Sequence, residues 1–348
     1  MSTQSAGKAK KSADGDKDTE TTSGSLESAV LVLETLKKIV QRQVLGRDEV
    51  IELAIIALIA DGHILLEDFP GSGKTTLAKA LGEAIKNHSN TDDTITAFRR
   101  IQFTPDLLPS DVTGSSIFDS NSSGFHFRHG PIFAHVVLAD EINRTSPKVQ
   151  SAMLEAMGEK QVTVDNITYP LNDLFFVIAT QNPLDLVGTY PLPTPQLDRF
   201  LFKVTMNHID RDAELEVLDS YRQRKELTNK QDSVSQNEIL KARAIIEEKV
   251  HISSEIKIAL IDISRNLRKD DRILQGNSTR SMVLLLPALQ VSAALKGRNY
   301  VSTEDVELLI PHVLNHRIEF APGITDFTRV FQENMAAPIE TLAKSTLG

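Results

Sequence analysis

The chain contains no cysteine in its 348 residues, which excludes disulfides, thiolate metal ligands and cysteine nucleophiles. It also lacks an excess of positive charge: 38 Lys and Arg stand against 47 Asp and Glu, a formal net charge of −9. A protein that grips nucleic-acid phosphates usually carries a basic stripe, and none is visible here. Long apolar runs are missing as well. The longest, Ala54 to Ala60, is too short to span a bilayer, and the N-terminus has no apolar signal core. These absences lead us to expect a soluble, cytoplasmic protein. Residues 1–24 are mostly Lys, Asp, Ser, Thr and Gly, with almost no large apolar side chain to repay the entropy of ordering. A disordered tail is expected there.

The remainder, in a chain 41% hydrophobic and 24% charged overall, suits one large or two ordinary globular domains. Its most telling stretch is HILLEDFPGSGKTTLAKAL, His63 to Leu81. An apolar run enters a glycine-rich turn and leaves as a helical pattern, the strand–loop–helix context that a phosphate-binding loop requires. Backbone N–H groups of Gly71, Ser72, Gly73, Lys74, Thr75 and Thr76, in the loop that Pro70 opens, can then wrap a phosphate. Lys74 would reach the β- and γ-phosphates, and Thr75 would hold Mg²⁺. One letter departs from the usual pattern, because Asp68 stands where the first glycine is expected.

A second motif, VVLADEINR, runs from Val136 to Arg144. Four apolar residues leading into Asp140 and Glu141 read as a buried parallel strand with carboxylates at its C-terminal end. Open α/β sheets bind ligands at that end. There Asp140 would help to hold Mg²⁺ and Glu141 would polarise the attacking water. Taken alone, the same run could be a strand ending in a solvated acidic turn.

Helical spacing is read over Leu26–Gln43 and Asp48–Ile59, and from the phosphate loop to about Lys86. Strands are read over Ile64–Glu67, Phe98–Phe103, Val136–Asp140, Leu174–Thr180 and Leu201–Val204. TPDLLPSDVTG reads as a turn-rich connection. Ser115–Phe118 with Phe125–Phe127 reads as a hairpin, as do KQVTV and ITYPL around Asp165-Asn166. Lys148–Met157 has helical spacing, with Gly158 as its expected cap. From Asn207 onward helical periods dominate: Asp212–Arg224, Gln236–Glu248, Ser253–Leu267, Thr279–Leu295 (with a kink expected at Pro287), Thr303–Leu314 and Ile324–Ala343. The expected division is a tail (1–24), an α/β domain (25–206) and an all-helical domain (207–348).

Three polar residues stand at further strand ends or turns. Asn182 ends VIATQN, where it could orient a water beside Glu141 or simply form an Asx-turn before Pro183. Arg199 precedes the last strand, and Arg280 opens an apolar helix. By spacing alone, both could be ordinary surface arginines. His126 and His129 have no acidic or thiol partner at metal-ligand spacing and read as structural or solvent-facing residues.

PGSGKTT, ADEINRTSPKVQSAMLEAM, FVIATQNP, GTYPLPTPQLDRF and the NSTRS-to-YVSTEDV segment together resemble the MoxR family of AAA+ ATPases, from about Ser25 to the end. The resemblance implies an α/β P-loop fold with a five-stranded parallel sheet, helices on both faces, two hairpin insertions and an all-α lid. It implies ATP and Mg²⁺, a homo-oligomeric ring (a hexamer), and chaperone-like action on protein partners, often one carrying a von Willebrand factor A domain. In that picture Lys74, Glu141, Asn182 and Arg199 are catalytic. Asn182 is sensor 1, Arg199 is a finger reaching the neighbour's γ-phosphate, and Arg280 touches the phosphates of its own subunit. Arg144 is either a second interface arginine or a salt bridge within its subunit. Val44, Leu45 and Gly46 match the segment lining the adenine pocket, although Leu45 could equally be core. NSTRS departs from the small-residue turn expected before Arg280. The competing readings are a nucleic-acid motor, against which the acidic balance argues, and an ATP-binding scaffold with little turnover.

Overall fold

In the computed structural model, residues 24–68, 71–86, 95–120, 123–182, 188–220 and 232–346 are described. The chain opens with helices α1 (Leu26–Gln41) and α2 (Asp48–Ile59), then strand β1 (Ile64–Asp68) and helix α3 (Lys74–Glu83). Next come β2 (Ile85–Lys86), β3 (Thr96–Gln102), α4 (Pro109–Thr113), β4 (Gly114–Asp119), β5 (Gly124–His129) and β6 (Ala134–Asp140). After them lie α5 (Pro147–Glu159), β7 (Gln161–Val164), β8 (Ile167–Pro170), β9 (Phe176–Gln181), α6 (Thr194–Leu197) and β10 (Phe202–Met206). Five strands form one all-parallel sheet in the order β10-β1-β9-β6-β3.

The apolar runs are continuous because both faces of this sheet are covered. Ile64 and Leu66 of β1, with Val136 and Leu138 of β6, pack on the side of α1, α2 and α3. Leu65, Val137 and Ala139 face the opposite way, toward Val149, Met153 and Met157 of α5. Two antiparallel hairpins, β4–β5 and β7–β8, interrupt the α/β alternation where the sequence places them. The second turns on Asp165 and Asn166, both with positive φ (51° and 62°), the requirement of a type I′ turn.

The helical region follows: α7 (Arg211–Asp219), then helices Gln236–Lys249, Ser254–Lys269, Thr279–Leu295, Thr303–Leu314 and Phe327–Thr346. Pro287 lies inside a single helical span. Small strand pairs break the all-helical expectation. β11 (Val234–Ser235) pairs with β2, and β12 (Ile273–Gln275) pairs with β13 (Glu319–Phe320). The first pair explains why α3 stops at Glu83 rather than near Lys86: the next residues are drawn into a strand. The expected turn-rich connection after β3 holds the short helix α4. The change of element type near residue 206 does not divide the core. Residues of α1 and α2 share one apolar cluster with Leu285, Leu289 and Val306 of the helical region. Residues 1–23 of the expected tail lie outside the described residues.

Candidate active site

The phosphate loop is shaped by backbone conformation. Gly71 and Gly73 take φ of 92° and 96°, values that side-chain-bearing residues rarely adopt. Among the described residues, and apart from the glycine and its chain neighbours, no atom lies within 4 Å of a Cβ built on either, so the space beside them is open. Gly73 caps α3 without any side-chain bond, and the first helical bond to it is Leu77 N–H to Gly73 O. The helix itself therefore leaves the N–H groups of Lys74, Thr75 and Thr76 for a ligand. Ser72 Oγ is buried without a hydrogen-bond partner among the described residues. These features fit a bound phosphate. Pro70 lies outside the described residues.

The acidic pair sits on the same edge. In a parallel sheet the C-terminal ends of β1, β9, β6 and β3 align, so the loop, Asn182, Asp140 and Gln102 form a row. Asp140 lies two strands from β1, about 10 Å away at the usual strand spacing. Its carboxylate is nearly buried and partnered at both oxygens. Thr180 Oγ1 donates to Oδ1 at 2.7 Å, and Arg100 Nη2 donates to Oδ2 at 2.6 Å. Glu141 adopts φ 58°, ψ 49°, a left-handed conformation that costs on the order of 1–3 kcal/mol and tends to persist at functional sites. Gln102 Nε2 donates to Glu141 Oε2 at 2.9 Å, and Arg144 Nε lies 3.2 Å from the same oxygen. The salt-bridge alternative for Arg144 is thus the one this conformation contains. Arg100 also donates to Gln102 Oε1 at 2.7 Å, which links the two carboxylates through one network.

Arg100, Gln102 and Thr180 escaped the reading of the sequence. Arg100 and Gln102 share a strand face, a period-2 signal inside FRRIQF, but only the register of β3 on β6 turns it into a contact. For a metal, the donors on this edge are hard oxygens, the Thr75 hydroxyl and the Asp140 carboxylate, which suit Mg²⁺ shared with phosphates. Among the described residues no group of three or more His, Cys, Asp or Glu forms a metal cage, and Mg²⁺ held this way needs none.

Beside the loop lies a cavity of about 310 Å³ lined by residues including Arg47, Ser72, Met206, Ile209, Val217 and Leu218. Arg47 Nη2 donates to Ser72 O at 3.4 Å and Nη1 donates to Asn207 O, joining the loop to the end of β10. The apolar walls suit a planar base. Leu45 and Gly46 directly precede Arg47 in sequence but are not among the residues that line this cavity. Gly46 (φ 66°) is needed instead for close packing, since a Cβ there would meet that of Ala213 at 2.6 Å.

Arg199 is elsewhere. Ile64 pairs with Phe202 and Asp68 with Met206, so the residues just before β10 lie at the N-terminal end of the sheet. Leu201 N–H donates to His63 O at 2.7 Å, which fixes them there. One strand length, about 13 Å at 3.3 Å per residue, separates that end from the phosphate loop. Gly158 was expected to cap α5. The helix instead runs past it to Glu159, and Lys160 takes the left-handed position (φ 49°). Gly158 clears room for Arg199, whose Nη1 would stand 3.0 Å from a Cβ at that position. Arg280 is at this end too, its Nε 3.9 Å from Asp198 Oδ2. That placement does not fit the expected contact between Arg280 and the phosphates of its own subunit.

The description "ATPase family associated with various cellular activities (AAA)" belongs to a family model that matches residues 63–202, and an "AAA lid domain" model matches 265–334. Chaperone MoxR1 of Mycobacterium tuberculosis is 33% identical over 85% of this chain and 78% of its own length. The chain belongs to the MoxR family of AAA+ ATPases. A second relative, the uncharacterized protein YeaC of Bacillus subtilis, is 43% identical over 81% of this chain and 85% of its own. The crystal structure of a protein from Cytophaga hutchinsonii superposes with a TM-score of 0.79 at 36% identity, covering 89% of this chain and 96% of that one.

In this MoxR-family chain the two hairpins touch. Phe127 of β5 stacks on Tyr169 of β8 with ring centroids 3.9 Å apart. His129 packs edge-on against Phe127 and Phe133 at 4.9 and 4.3 Å, the structural role expected of it. Histidines buried near the N-terminal end of the sheet are held neutral. His63 accepts from Val177 N–H at Nδ1 and lies 3.2 Å from Met157 O at Nε2; burial pulls its pKa down to about 4. Burial lowers His135, His312 and His316 as well. Among the described residues no helix is long and apolar enough to cross a membrane.

Proposed function

We propose that this chain hydrolyses ATP with Mg²⁺ at the subunit interfaces of a homo-oligomeric ring, a hexamer, and that the cycle drives chaperone-like remodelling or maturation of protein partners in the cytoplasm. The observation that carries this reading is the separation of the site's halves. The phosphate loop, Asp140 and Glu141 occupy one end of the sheet, whereas Arg199 and Arg280 occupy the other. A flexible arginine side chain does not cross a strand length, which supports a neighbour as the source of those charges.

Lys74 and the N-terminus of α3 hold the phosphates, while Thr75 and Asp140 take the metal, which supplies charge neutralisation. Glu141 polarises water and Asn182 orients it. Arg199 and Arg280 of one subunit meet the γ-phosphate of the next, where a finger supplied in trans is worth roughly 10³–10⁵ in rate in GTPases. Arg47, Ile209, Val217 and Leu218 receive the base. The name Chaperone MoxR1 borne by a relative supports protein partners over nucleic acid, as does the acidic balance. A partner with a von Willebrand factor A domain fits the family resemblance.

The test is steady-state ATP hydrolysis over a protein dilution series, with mass analysis in the presence and absence of nucleotide. Specific activity should rise with concentration as assemblies form. Constant activity in a persistent monomer would contradict the interfacial site.

A further inference from the structure

Arg317 follows helix Thr303–Leu314 and is a buried charge of the lid that reaches across to the segment before β10. Its side chain is only 3% exposed. Nε lies 2.6 Å from Asp198 Oδ1, and Nη2 donates to Phe200 O at 2.7 Å and to Asp198 O at 3.2 Å. Nη1 donates to Leu201 O at 3.2 Å and to Val313 O in the helix it follows. One guanidinium fork thus spans the backbone on both sides of Arg199. Its neighbour His316 places Nε2 2.9 Å from Phe200 O. Arg280, also from the lid, shares Asp198.

Burying a charge is costly, and an apolar residue of similar size would often pack as well. What an apolar residue cannot do is hold carbonyls. A lysine would bring a point charge but not a planar five-donor fork. The chemistry matches a task in which the path of residues 198–201 must be fixed.

We propose that Arg317 is a positioning residue for the finger: the lid clamps the segment bearing Arg199, and that clamp sets where Arg199 meets the nucleotide of the neighbouring subunit. This rests on the interfacial reading given above. Loss of the clamp should therefore damage the neighbour's site and spare the subunit's own. Even a 1 Å misplacement of a catalytic group can cost about 10²-fold.

The experiment uses mixed assemblies of the full chain. A donor carrying Lys74→Ala keeps its finger but cannot turn over. An acceptor carrying Arg199→Ala keeps its phosphate loop but offers no finger. Hydrolysis by the mixture then comes from acceptor loops served by donor fingers. Arg317→Met in the donor should lower kcat of the mixture at least about tenfold with the KM for ATP unchanged, whereas the same substitution in the acceptor should change it less than about twofold. Equal losses in both placements, or no loss in the donor, would overturn the proposal and leave Arg317 a structural residue. If Arg317→Met does not fold, Arg317→Lys in the same placements should give a smaller, still donor-only loss. A parent mixture that assembles and shows no hydrolysis would instead defeat the interfacial reading, and this proposal with it.

Discussion

The two ends of the central sheet are made of different chemistry. At the C-terminal end stand open backbone amides, a strained glutamate and carboxylates tied up by Arg100, Gln102 and Thr180. At the N-terminal end stand arginines, one of them buried, and histidines kept neutral by burial. The first end is equipped to receive phosphate and metal, the second to deliver positive charge. In the proposed function neither completes a phosphoryl-transfer site alone, and β1 and β10 hold them one strand length apart.

The sharpest way to break this comparison is to remove charge from the delivering end. Arg199→Ala should lower kcat by about 10³–10⁵, with ATP binding and assembly retained. Unchanged turnover in steady-state assays would mean that the N-terminal end delivers nothing. At the receiving end, Glu141→Gln should cost about 10²–10⁴ in kcat while nucleotide affinity, read by a fluorescent ATP analogue, stays the same. Equal turnover would remove Glu141 as the base.

Acid separates the ends by stability. The folded pKa of His63 lies near 4, below its ordinary 6.5, so the unfolded chain binds more protons between those values. Its contribution is complete above pH 6.5 and is lost as pH falls toward 4, about 3 kcal/mol in all. Asp61 opposes the shift, while Lys160 and Arg243 add to it. His135 and His316 act in the same direction. Thermal melting at pH 7.5 and pH 5 should show a clear fall in Tm, and hydrogen exchange should loosen around residues 198–201 before the phosphate loop. A smaller effect tests the base cavity. Arg47→Ala removes hydrogen bonds worth about 1 kcal/mol each and should weaken nucleotide binding roughly tenfold by calorimetry.

The phosphate loop, the acidic strand end and the Asp165–Asn166 turn were legible because each is a local signal: glycine at positive φ, a buried run ending in carboxylates, a two-residue turn between alternating strands. What escaped is non-local. Arg47 reaches Asn207 across 160 residues and Arg317 reaches Asp198 across 119, and no periodicity encodes either contact. Gly158 was misread for a related reason. A glycine near a helix end ordinarily signals a cap, and only the return of Arg199 to that spot shows that space was the requirement. Arg280 was recognisable as a residue, but its end of the sheet was not.

The most direct test of the divided site is to mix Lys74→Ala protein with Arg199→Ala protein, each inactive alone, and to measure ATP hydrolysis as the ratio varies. The account predicts activity that appears only in the mixture and peaks at intermediate ratios. Mixed assemblies that form but never hydrolyse ATP would contradict it.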